Sequence, residues 1–275
     1  MTVHRAAQKN VIVTGMSPRT RTVSIIEMSW FFSPSAVPTT SSLILDAANR
    51  LLPAVLPTRF GMADPPPNRV DGRTELFDRY WAEQSAVDYG ARTAWIGSSG
   101  AFYASMQFPD RRGTAADQDP RMGHLRIDID LKLADADPDG VTEFLVAIAE
   151  GGPAFYACAF VLRGWTMSGL VLSQNVFTSE SAYIPGGDRW LGLPPGAPWL
   201  SWYGAGYASV LADLIGPYAT PTQTGLLVRA AREPLTMDEA LARLPALPDE
   251  LLAQRKDPRF YATTPSEPAP FIPEL

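Results

Sequence analysis

Polar and apolar residues alternate most regularly between His124 and Leu133. Leu125, Ile127, Ile129, Leu131 and Leu133 fall on one side of an extended chain, and His124, Arg126, Asp128, Asp130 and Lys132 on the other. Successive side chains of a strand point to opposite faces, so the pattern predicts a strand with one buried and one wet face, as in an antiparallel sheet. Residues 23–32, an apolar run closed by Ser33-Pro34, predict the first strand. Residues 93–96 and 102–108 flank Gly97-Ser98-Ser99-Gly100 and predict a hairpin. Further strands are expected at 155–162, 166–172 and 225–228.

Helical spacing marks other segments. A helix over 40–52 is stopped by Pro53. In the helix predicted over 73–87, Leu76, Phe77, Tyr80 and Trp81 share one face, and Gly90 closes it. Asp137 as N-cap with Pro138 in first position predicts a helix to Glu150, ended by Gly151-Gly152. Ser201 opens a stripe of Tyr203, Tyr207, Val210, Leu211 and Leu214 that stops at Gly216-Pro217, and a short helix follows over 237–244. Residues 57–67 are too rich in proline for a helix and read as an irregular extended connection, and 174–198 as a long Gly- and Pro-rich loop. This mixture predicts an α+β fold, a mainly antiparallel sheet with helices packed on one side. The expected organisation is an N-terminal arm over 1–21, one domain over 22–255, and an extended tail over 256–275 holding Pro258, Pro265, Pro268, Pro270 and Pro273.

Composition narrows the function classes. The chain has 275 residues, 46% of them hydrophobic, enough to close a sizeable core. A net charge of −6 argues against nucleic-acid binding, which needs a basic face. The excess is concentrated: between Asp110 and Glu150 stand ten acids and five bases, a difference of −5. The single cysteine, Cys158, excludes an internal disulfide and a cysteine-based zinc site, which suits a reducing, cytoplasmic location. No apolar run reaches the length of a membrane span, and the N-terminal stretch lacks the apolar core of a signal peptide.

Candidate chemistry is sparse. The histidines are His4 and His124 alone, and no Gly-x-Ser-x-Gly elbow accompanies them, which disfavours a serine hydrolase. Asp128 and Asp130, roughly 7 Å apart at strand spacing, could share a metal or a general-acid role, although cross-strand ion pairs explain Arg126, Asp128, Asp130 and Lys132 more simply. Asp135-Ala136-Asp137-Pro138-Asp139-Gly140 opens like a calcium loop, but position 146, where the closing glutamate belongs, is valine. No cofactor is implied. The stretch from Trp190 to Val228 carries one charged side chain, Asp213, and three of the seven tryptophans, so its aromatic surface must pack inside the fold or against another protein.

Within that stretch, Trp199-Leu200-Ser201-Trp202-Tyr203-Gly204-Ala205-Gly206-Tyr207 resembles the tryptophan, aromatic-glycine and tyrosine-helix signature found late in bacterial immunity proteins of polymorphic-toxin and type VI secretion systems. The connection from Pro57-Thr58-Arg59-Phe60-Gly61 to Asp64-Pro65-Pro66 is similar to a turn that precedes the central sheet in such proteins. Together with the order of elements, the likeness spans about a third of the chain. It implies a cytoplasmic antidote that binds a cognate toxin and blocks it without turnover, with no nucleic-acid or membrane partner. Arg59, Phe60, Gly61, Trp199, Trp202, Tyr203, Gly204 and Tyr207 mark the motifs and read as packing residues, because large aromatics bury most of their area in the fold. The candidate partner-binding residues are Asp128, Asp130, Asp135, Asp137, Asp139 and Glu143, an acidic cluster that would steer a basic toxin surface. Two rival classes stay open: an enzyme using the Asp128/Asp130 face, and a small-molecule binding module with an aromatic cavity near Trp199 and Tyr203.

Overall fold

A computed structural model describes residues 20–87, 90–109, 122–175, 177–182, 190 and 192–253. The tail over 256–275 and the arm up to residue 19 lie outside the described residues. Residues 20 and 21 belong to the first strand, β1 (Thr20–Phe32). β1 is the centre of an antiparallel sheet. On one side it pairs with β6 (Gly123–Asp130), and then follow β5 (Ala101–Gln107), β4 (Arg92–Ile96), β2 (Arg59–Gly61) and β3 (Asn68–Arg69). On the other side stand β7 (Ala154–Ser168), β9 (Leu200–Gly204), β11 (Gly225–Arg229) and β10 (Ala219–Pro221), with β8 (Val171–Ser173) folded back on β7. The architecture is α+β.

Alternation along β1 assigns its side chains to two cores. Ile26, Met28, Trp30 and Phe32 enter one, and Val23, Ile25 and Phe31 the other. The first is closed by α1 (Ser42–Leu51), α2 (Thr74–Ser85), α3 (Leu131–Ala136) and α4 (Pro138–Gly151). There Trp30 meets Phe144 edge-on at 6.0 Å and its indole N–H donates to the Leu145 carbonyl at 2.8 Å. The Trp81 and Trp95 indoles likewise donate to the Pro38 and Val55 carbonyls, which satisfies donors that burial takes from water. The second core takes α5 (Ala205–Ile215), whose Tyr207, Leu211 and Ile215 lie over Phe155, Tyr156 and Trp190. Helices therefore gather mainly on one face, with α5 on the opposite one.

Five local expectations differ from the structure for identifiable reasons. The strand from His124 ends at Asp130, whose carboxylate accepts the Lys132 amide at 3.1 Å and caps α3. Its polar face is covered and not wet: Asp128 is 1% exposed. The segment from Ser201 begins as strand β9, because Trp202 and Tyr203 must enter opposite cores, which a strand allows; the helix starts at Ala205. Residues 154–168 form one strand, continuing through Gly164 at φ +78°, where an added Cβ would lie 2.4 Å from the Thr178 carbonyl oxygen. The connection over 57–67 contains β2, which adds to the sheet edge against β4.

Candidate functional site

The six acids separate into different environments. Asp130 caps α3, and Asp137 caps α4 by accepting the Gly140 amide at 2.9 Å. The stretch that opens like a calcium loop is thus a helix-to-helix junction, and among the described residues no three His, Cys, Asp or Glu side chains gather as a metal site. Asp139 is clamped by Arg229 at 2.7 Å and Arg232 at 2.9 Å, which hold its carboxyl below the usual range. Asp135 and Glu143 are exposed. Asp128 is inside the protein and cannot meet a partner at the surface, a correction to its place in the acidic cluster.

Around Asp128 the sheet builds a buried charge cluster. Register places Glu27 opposite Asp128, and Ser29 opposite Arg126, so all four point to the second core. The Arg126 guanidinium donates to both Asp128 oxygens at 2.9–3.1 Å and reaches Glu27 at 2.7 Å, with Trp165 over its face at 5.6 Å. One guanidinium balances one carboxylate, and Asp128 takes the bidentate share. Glu27 is therefore the group that burial pushes up, to about 7, with Arg126 opposing and Asp128 adding to the rise. Burial raises Asp128 as well, against the pull of Arg126. Next to them His124 stacks on Phe31 at 4.8 Å and shares a hydrogen bond with Ser29 at 3.1 Å. Burial, then Arg126 and Arg92, push its imidazole down to about 3, so it is neutral. Arg92 donates to the hydroxyl of Tyr103, which lies opposite Asp128 on β5. These groups are held in place by one another. With Asp128 tied to Arg126 and Asp130 capping α3, the two aspartates are not presented together to a substrate.

Glu27 was missed in the sequence, although one charge in the apolar run 23–32 is the signal of a buried, paired group. Arg229 and Arg232, some ninety residues from Asp139, left no such signal.

The open surface feature lies on the other face. A cleft of about 770 Å³ runs between α1, α4 and the turn joining β10 to β11. Glu143, Val146, Ala147 and Glu150 recur at helical spacing and form one stripe of α4 along it. Leu51 and Leu227 extend the apolar floor, and Arg50 stands on the α1 side. Glu150 accepts the Thr224 amide at 3.1 Å, fixing the hairpin turn to the end of α4. The cleft thus offers half-buried apolar side chains beside the exposed carboxylate of Glu143, a surface suited to an apolar side chain flanked by a base.

The motif residues are packing residues. Arg59 reaches the Pro66 carbonyl at 3.4 Å across the β2–β3 turn. Phe60 lies against Phe77 and Tyr80, and Gly61 at φ +149° leaves no room for a Cβ beside Pro67. The Trp199 and Trp202 indoles donate to the Ala231 carbonyl and the Thr222 hydroxyl, Gly204 is the N-cap of α5, and Tyr207 accepts from the Trp190 indole at 2.8 Å. Tyr203 lines a small cavity, while Trp199 lies in the other core.

No family model matches the chain, and no curated protein matches its sequence. Among solved structures the fold is similar to that of the T6SS protein PA0821 of Pseudomonas aeruginosa, with a TM-score of 0.52 and 12% identity, covering 78% of this chain and 70% of that one. The likeness is one of fold. Among the described residues, no helix is long and apolar enough to cross a membrane.

Proposed function

We propose that this protein is an immunity-type protein, which binds a cognate bacterial toxin in the cytoplasm and blocks it without turning over a substrate. The observation that carries this reading is the fold shared with a T6SS protein over most of both chains. The likeness of the 57–66 and 199–207 segments to immunity proteins of such systems points the same way. Against the enzyme alternative stands the cluster geometry: Asp128 is locked to Arg126, and Asp130 is spent on a helix cap.

The contact surface we assign is the α4 cleft. Glu143 supplies the charge that draws a basic toxin surface, and Val146 and Ala147 supply the apolar area that holds it. The test is co-expression with the toxin encoded beside the gene, scored as growth. Wild-type protein restores growth. Glu143→Arg combined with Val146→Arg weakens the complex by about 30-fold or more, the scale of an interface hot spot. Glu83→Arg, an exposed change on α2, leaves it intact. Unimpaired rescue by the double variant rejects the cleft as the surface. A purified chain that turns over a substrate, and loses that activity with one side chain, rejects the immunity reading itself.

A further inference from the structure

On the sheet face opposite the cleft, a partly open cavity of about 140 Å³ is lined by the 194–198 segment, β9, β11 and residues 241–252. Its walls are apolar, with Pro195, Ile215, Val228, Leu244 and Leu247 among them. One end is polar. Tyr156 and Tyr203 stand opposite each other on β7 and β9, and the next pair on the same face is Cys158 and Ser201. Tyr156, Ser201 and Tyr203 all line the cavity, so two phenols and an aliphatic hydroxyl gather at this end.

Tyr203 lines the cavity, so an oxygen placed there would accept the proton of its hydroxyl. Burial holds Tyr203 at about 12 and pushes Tyr156 well above its ordinary value, so both phenols are neutral donors at physiological pH. Among the described residues no basic side chain lines the cavity, whereas the acidic residue Asp249 does, which disfavours an anion. An apolar cavity of roughly 150 Å³ accommodates one benzene ring.

We infer that this cavity binds a small uncharged molecule of single-ring size with one hydroxyl or carbonyl oxygen, a phenol or a cyclic ketone, oriented by the Tyr203 hydroxyl. Both phenols sit on paired strands of the central sheet, so the polar end is rigid before a ligand arrives. The inference does not depend on toxin binding, since cleft and cavity lie on opposite faces of the sheet.

The test titrates the full chain with p-cresol, toluene and benzoate, reading thermal midpoint and tryptophan fluorescence. With p-cresol about a hundredfold above its Kd, the midpoint rises by several degrees. Tyr203→Phe keeps the ring, removes the hydroxyl and weakens p-cresol about tenfold, without changing toluene. Leu244→Trp fills the cavity and abolishes both. Three results overturn the inference: no response to p-cresol up to its solubility limit, p-cresol binding unchanged in Tyr203→Phe, or benzoate binding as tightly as p-cresol. Tyr203→Phe decides the matter if Leu244→Trp does not fold.

Discussion

Replacing Glu27 by glutamine removes one ionisable group from the buried cluster at nearly constant volume, and its consequence can be worked out with sign and size. In the unfolded chain Glu27 titrates near 4.5, and in the folded protein at about 7. Between these values the folded state holds a proton that the unfolded state has released, so stability falls as pH rises, by about 1.4 kcal/mol per pH unit. The contribution is complete below the unfolded value and gone above the folded one, on the order of 3 kcal/mol in all. His124 acts in the opposite sense. It titrates at about 3 when folded against 6.5 unfolded, so the unfolded state holds the extra proton and stability is lost as pH falls through that window. In the wild-type protein the two slopes cancel between the unfolded value of Glu27 and that of His124. In Glu27→Gln the His124 slope stands alone, and Asp128, no longer sharing Arg126, titrates lower, which adds to the difference between the two proteins. Urea denaturation followed by tryptophan fluorescence, at several pH values from about 5 to about 8, gives the stability of each. Wild-type stability relative to the variant should fall as pH rises from about 5 to about 7 and level off above. A difference constant with pH would refute the assignment of a proton to Glu27.

The other expectations concern different parts of the molecule. In the growth assay, charge reversal at Glu143 with Val146→Arg should cost rescue, and p-cresol binding should depend on the Tyr203 hydroxyl. Gly97→Ala would place a Cβ 2.1 Å from the Ala54 carbonyl oxygen and 2.6 Å from the Ala101 Cβ, and should lower stability by about 2 kcal/mol; Gly216→Ala, with nothing within 4 Å, should not, and equal thermal midpoints for the two would contradict the packing. Cys158 is fully buried, and burial pushes its thiol up, so a thiol reagent should label it only after denaturant unfolds the chain; labelling at the rate of an exposed thiol would show that the second core opens.

Particular residues show why some features were legible and others not. Asp137-Pro138 announced α4 because a cap and the first helical position are local properties. The uncharged aromatics from Trp199 to Tyr207 announced burial, but not whether they begin a strand or a helix, since a short apolar run fits either period. Alternation from His124 to Asp128 identified the two faces of β6 correctly and mistook the polar one for a wet one. An alternating strand records which side chains share a face; it holds no record of what covers that face. Here the second core does so, assembled from β7, α5 and Trp190.

Local chemistry within the chain therefore determined the α+β class, the main antiparallel strands and the start of α4, because period, caps and prolines act over a few residues. Tertiary structure decided the rest. Burial of a second sheet face brought Glu27, Arg126 and Asp128 onto one another, drew Arg229 and Arg232 to Asp139, opened a cleft along α4 and left a cavity beside Tyr203. Each of these joins residues far apart in the chain, and only strand register and the packing of layers can set such distances.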